Sequence, residues 1–337
     1  MNPIWVDEEG WLGGIGPYLQ IESGTGRGRY ARVLEGLRDS GRDLAFASFT
    51  FDLDESGSVV VAPSGVTRAP VEPSLSGHEL VVLDDGIAAW RDGFERAMKA
   101  IHGEFLSKVV LARQVKLALP DELDVPGLVA RLAAANQGCY CFAIAGLVGA
   151  SPELLVRLRR GRLSTLALAG TATDPDELES FKISEEHRHV SDSVTGVLDR
   201  HLARIEVTEQ TIVTHGRISH VGTRIEGPAR PGVTVADVLA DLHPTAAVAG
   251  APTEDAVSLI RELEPGSRGR YAGPVGWLDS AGDGVFAIAL RCGQLNEDTI
   301  TLFAGGGLVS ASEEEPELEE TELKLAPMIE GLGQLSS

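Results

Sequence analysis

From about residue 87 onward the chain alternates between two hydrophobic rhythms. The run Lys108-Val109-Val110-Leu111-Ala112-Arg113, continuing through Gln114, Val115, Lys116 and Leu117, is apolar and β-branched and predicts a buried strand. Further strands are predicted at Tyr140–Val148, Leu154–Arg160 and Leu163–Ala169, the last two joined at Gly161-Arg162 as a hairpin. A second hairpin is expected where Tyr271–Leu278 and Val285–Cys292 flank a turn-rich Asp279–Gly284, followed by a strand at Ile300–Ala304. Helical spacing predicts Ala88–His102, Val125–Ala135, a long helix from Glu177 or Ser184 to Ile205, Val235–Leu242, Thr253–Leu263 and Glu314–Glu330. Pro252 opens the Thr253 helix and Gly266 lies just past its end, the usual asymmetry of helix termini.

Residues 1–88 carry weaker signals: a helix over Tyr30–Leu37, strands at Leu44–Phe51 and Val59–Ala62, and a Pro-, Ser- and Gly-rich linker from Pro63 to Gly77. Hairpins interleaved with helices, without a βαβ rhythm, argue for an α+β fold with antiparallel sheets. No internal repeat is evident.

Composition narrows the function. With 43% hydrophobic and 23% charged residues over 337 positions, the chain reads as a globular protein with a substantial core. A formal net charge of -21 argues against a nucleic-acid surface, yet a few local cations could still dominate a pocket for a small anion. Cys139, Cys141 and Cys292 lack zinc-ligand spacing and read as small core hydrophobes. No signal segment or membrane span is visible, so the expectation is a cytoplasmic protein, a monomer or weak homodimer, without nucleic-acid or membrane partners. Gly24-Thr25-Gly26-Arg27-Gly28 is not clearly fed by a strand, is followed by no Gly-Lys-Ser/Thr, and reads as a loop.

Several positions could carry chemistry, each with a plainer alternative. Lys108 at the mouth of a dry strand could be a neutral amine base, or could snorkel to water. Glu153 opens an apolar strand after Pro152, where a raised pKa would keep it protonated as an acid. Glu186 is either a metal ligand or a carboxylate at a helix start. Glu320 lies in an acidic run and is spaced i,i+4 from Lys324, as a surface ion pair would be. Gly305-Gly306-Gly307 after a strand suits backbone approach to an anion, and Ala169-Gly170-Thr171 could do the same. Arg291, inside an apolar strand, calls for a carboxylate, either a substrate's or an internal Asp or Glu.

Eight ordered segments resemble the chorismate-binding superfamily, which includes anthranilate, aminodeoxychorismate, isochorismate and salicylate synthases. They are KVVLAR (108–113), GASPELL (149–155), LAGTAT (168–173), EEHRHVSD (185–192), LHPTAAVAGAP (242–252), GRYAGPVGW (269–277), ALRCGQL (289–295) and LFAGGGLV…EEPELEETELK (302–324). The resemblance covers about Lys108 to the C-terminus; Lys108 matches the isochorismate and salicylate synthases, whereas ammonia-using members generally carry Gln there, and Leu242-His243-Pro244-Thr245-Ala246-Ala247-Val248 resembles isochorismate synthase more than the salicylate or aminating branches. It implies one domain over residues 1–337, built of two large packed antiparallel β-sheets with peripheral helices. Within it, residues 1–88 would form an N-terminal segment and residues 89–332 a core carrying the motifs. It implies chorismate as substrate, Lys108 as base toward water and Glu153 as general acid. Mg²⁺ would be held by Glu186 and Glu320. Arg291 and Tyr271, with Gly305 and Gly307, would bind the enolpyruvyl carboxylate; Gly170 and Thr171 would contact the ring carboxylate. Lys324 would lie near the metal-bound carboxylate and His243 would line the pocket. The product would feed menaquinone or siderophore synthesis.

Overall fold

The computed structural model describes residues 1–73, 78–119, 123–172, 191–215 and 218–335. In chain order the elements are β1 (Ile4–Asp7), β2 (Gly10–Gln20), α1 (Arg29–Asp39), β3 (Leu44–Ser48), β4 (Val59–Thr67), β5 (His78–Asp84), α2 (Ile87–His102) and β6 (Lys108–Ala118). Then come α3 (Val125–Ala135), β7 (Tyr140–Ile144), β8 (Leu147–Ser151), β9 (Leu154–Arg159), β10 (Arg162–Ala172) and α4, described over 191–198. After these follow β11 (Glu206–Val207), β12 (Thr211–His215), β13 (Ile218–Pro228), α5 (Val235–Leu242), β14 (Gly250–Ala251) and α6 (Thr253–Leu263). The chain closes with β15 (Pro274–Asp279), β16 (Gly284–Ile288), β17 (Cys292–Asn296), β18 (Thr299–Leu308), α7 (Glu314–Leu332) and β19 (Gly333–Leu335).

Hydrogen-bonded neighbours trace one antiparallel run in two halves. The first half is β12-β13-β10-β9-β16-β15-β3-β4. The second is β1-β7-β8-β17-β18-β6-β5. β2 joins them, pairing β4 along Gly13–Gln20 and β1 along Gly10–Gly13. The inner faces share a core in which Trp5, Phe142 and Ile144 meet Phe46, Val156 and Phe286, all buried. A smaller core under α3 and α7 gathers Leu117, Leu128, Val148, Leu302, Leu325 and Met328. The mixed, sheet-dominated architecture is the one expected, and residues 1–88 supply β1 to β5 to the same run.

Helix boundaries follow local chemistry. The Asp124 carboxylate accepts the Gly127 N–H at the start of α3, and Thr234 with Asp237 forms a capping box on α5. Five strand expectations need correction. Tyr140–Val148 is a hairpin, because Ala145 (φ 49°) and Gly146 (φ 83°) form its turn; apolar residues on both sides hid it. The predicted linker after Pro63 is strand as far as Thr67. The Tyr271 strand begins only at Pro274, and Val285–Cys292 breaks after Ile288. The glycine triplet lies inside β18 rather than beyond it. The long helix ends at 198 rather than Ile205, and its expected start lies outside the described residues.

Candidate active site

Two segments cross from one half of the run to the other. The chain leaves β8 and enters β9 through Pro152-Glu153; it leaves β16 and enters β17 through Ala289-Leu290-Arg291. Backbone bonds lock the crossings side by side: Ile288 N donates to Glu153 O (3.0 Å) and Ala150 N to Arg291 O (3.1 Å). Arg291 adopts φ 47°, a left-handed conformation costing a non-glycine residue about 1 kcal/mol. Gly149 makes the close packing feasible, since a Cβ there would lie 2.4 Å from Cys292 Cβ. Where the strands part, a cavity of about 600 Å³ opens.

Lys108, Glu153, Tyr271, Arg291, Gly305, Gly307, Glu320 and Lys324 all line that cavity. Lys108 stands at the start of β6, pinned between β14 (Ala251 opposite Lys108) and β18 (Leu308 opposite Val109). Its side chain lies over Gly307, where an added Cβ would come 2.7 Å from Cε and 3.3 Å from Nζ. At Gly305 a Cβ would meet the Tyr271 hydroxyl at 2.8 Å. These glycines therefore leave room for two functional side chains. The Tyr271 ring stacks on Phe303 at 4.9 Å.

Glu153 is half-buried: one side opens on the cavity and protein encloses the rest. Desolvation raises its pKa to about 7, against the opposing pull of Lys108, Lys324 and Arg291. Burial pushes the Tyr271 phenol up, so it stays protonated, and pushes Arg291 down from its usual value. The internal ion pair that Arg291 could have made is absent among the described residues; its guanidinium donates to His220 Nε2 at 3.5 Å. The Glu320–Lys324 pair does form (2.6 Å), but at the cavity wall, with Lys324 also donating to Gly305 O at 2.7 Å.

The remaining expected residues lie elsewhere. Gly170 and Thr171 fall where the β10–β13 register is interrupted between Ala169 and Ala172, just past the cavity-lining Leu168. Glu186 lies outside the described residues. His243 does not line the cavity. It is 1% exposed, its Nε2 bonds Phe51 O at 2.8 Å, and burial lowers its pKa to about 3. The apolar Leu242 and Val248 around it gave no hint that the histidine turns toward Phe51. Sequence reasoning also missed His220, Arg268 and Glu317 on the cavity wall. The period-two pattern of Ser219, Val221 and Thr223 around His220 was the available signal, whereas Glu317 was hidden in the acidic run and Arg268 in a turn-like Gly266-Ser267-Arg268-Gly269.

The cavity thus combines one carboxyl poised near neutrality with four cations, Lys108, Arg268, Arg291 and Lys324, a setting for a small anionic substrate and acid–base work. A family model described as "Chorismate binding enzyme" matches residues 79–333. Isochorismate synthase DhbC of Bacillus subtilis is 32% identical over 347 residues, covering 93% of this chain and 87% of its own. Isochorismate synthase MenF of the same organism is also 32% identical, over 94% of this chain; the match spans 66% of MenF, just under two thirds of its length. The crystal structure of DhbC from Bacillus anthracis superposes with a TM-score of 0.87 at 27% identity, covering 98% of this chain and 96% of that one. On the extent of these matches, the chain belongs to the chorismate-binding enzyme family.

Proposed function

We propose that this protein is a Mg²⁺-dependent isochorismate synthase. The observation that carries the reading is a lysine and a carboxyl titrating near 7 on the walls of one cavity. Arg291 and Tyr271 hold the enolpyruvyl carboxylate, the guanidinium left by its surroundings without a carboxylate partner among the described residues. Lys108 takes a proton from water as the oxygen attacks C2 of the ring. The ring double bonds shift, and Glu153 gives its proton to the departing C4 hydroxyl, which leaves as water. Lys108 ends one proton richer and Glu153 one proton poorer, and exchange with solvent resets the pair, so the overall reaction needs no other reagent.

The donor set fits the metal. Glu317 and Glu320 stand one turn apart on α7 and both line the cavity, and hard carboxylate oxygens suit Mg²⁺. Ser312 Oγ donates to Glu317 Oε1 at 2.6 Å, which orients that carboxylate. Glu320, with Glu317 and with Glu186 by resemblance, would hold the ion. Bound Mg²⁺ would neutralise the ring carboxylate as charge builds up next to it. The isochorismate would be made in the cytoplasm for menaquinone or siderophore synthesis.

The test is incubation with chorismate and MgCl₂, with products separated chromatographically. Isochorismate should accumulate to equilibrium with chorismate and vanish with EDTA. Salicylate and pyruvate as the products, or chorismate left unconsumed, would reject the assignment.

A further inference from the structure

We propose that the buried Arg268–Glu264 ion pair is a positioning unit that holds Lys108 in place for its role in the reaction; the inference rests on the isochorismate synthase reading. Both side chains are 1% exposed, and Arg268 Nη2 lies 2.6 Å from Glu264 Oε1. The pair stands beside the edge of β6 that faces away from β18. Along that edge the short β14 ladder supplies partners only to the first residues: Ala251 O accepts from Ser107 N (2.9 Å) and Ala249 O from Val110 N (2.8 Å). The next two backbone groups are met by the ion pair. Arg268 Nη2 donates to Val110 O (2.7 Å), and Glu264 Oε1 accepts from Ala112 N (2.9 Å). Two side chains thus continue the ladder where a strand has stopped.

The other arm of the fork reaches the segment that leads into β14. Arg268 Nη1 donates to Val248 O at 2.8 Å, so one guanidinium spans the strand that begins with Lys108 and the segment opposite it. Its Cζ lies 4.4 Å from the Phe51 ring centroid and 5.9 Å from that of Tyr271. Val110, Val248, Arg268 and Tyr271 all line the cavity. Burying an ion pair is often no better for stability than an apolar replacement, so stability alone does not account for this one. What a rigid planar fork does that an apolar pair or the single nitrogen of an ammonium cannot is aim separate nitrogens at two backbones and a carboxylate that lie in different directions. Arg268 acts on the chemistry through Lys108, and its charge is already engaged by Glu264.

Arg268→Lys keeps the charge but cannot reach Val110 O, Val248 O and Glu264 together. We expect kcat for isochorismate formation to fall about 30-fold, with KM for chorismate within about threefold, because a misplaced base weakens the transition state more than substrate binding. In a Lys108→Ala background the same change should leave the residual kcat unaltered, as it does when one residue works through another. Glu264→Gln retains an oxygen for Ala112 N–H and loses the charge, and should lower kcat about fivefold at unchanged KM. This second variant decides the matter if Arg268→Lys does not fold. Unchanged kcat in the folded variants, or an equal fall whether or not Lys108 is present, would overturn the positioning role while leaving the assigned reaction intact. A wild-type protein that makes no isochorismate would instead overturn the reaction, and this inference with it.

Discussion

Lys108→Ala should lower kcat for isochorismate formation by about 10³-fold while KM for chorismate changes by less than about threefold. The proposed base touches water and not the substrate carboxylates, so its loss is felt in the transition state. The fold should survive. Val109, Leu111 and Leu117 of β6 are buried, and the strand is bonded along its length to β18, so truncating one half-buried side chain at its start leaves the ladder whole. Steady-state kinetics with chromatographic products, alongside circular dichroism, checks both expectations. Full turnover by this variant would remove Lys108 from the mechanism.

Glu153→Gln should lower kcat by about 10² to 10⁴-fold and, at alkaline pH, make the protein more stable. The two effects share one cause. Desolvation raises the Glu153 pKa from 4.5 to about 7 in the folded chain. Between those values the native state holds a proton that the unfolded chain has released, so stability falls as pH rises from 4.5 to 7 and stays lowered above it. The cost at pH 8 is on the order of 3 kcal/mol, and it is absent below pH 4.5. Glutamine cannot ionise and escapes it. Urea unfolding should therefore show the variant ahead of wild type at pH 8 and level with it at pH 4. A variant less stable than wild type at pH 8 would mean that desolvation does not govern Glu153.

Much of this was legible in the chain because burial and turn chemistry act locally. The apolar run after Lys108, the capped helix at Val125 and the Pro152 approach to Glu153 all sit where their patterns placed them. Less legible were features created by contacts far apart in sequence. Near Ala145 the one turn signal is Gly146, and apolar residues on both sides let it pass as the middle of a strand. Nothing around Arg291 announces a left-handed residue at a crossing, because the reason lies in Gly149 and Glu153 of another segment. Glu320 and Lys324 form the i,i+4 pair that a solvated helix would show, yet α7 turns that face to the cavity. His243 had a role by resemblance, and its geometry turns it toward Phe51 instead. The cysteines are buried thiols; desolvation pushes Cys139 up to about 12, in keeping with inert core residues.

The central claim is that the hydroxyl of the product comes from solvent water, activated in the cavity shared by residues 108 and 153. Running the reaction in water enriched in ¹⁸O and analysing isochorismate from the first turnovers by mass spectrometry tests it most directly. The account predicts one heavy oxygen, carried on the new C2 hydroxyl of every product molecule. Isochorismate that forms without taking up the label would show that the original hydroxyl migrates within the substrate, and would contradict it.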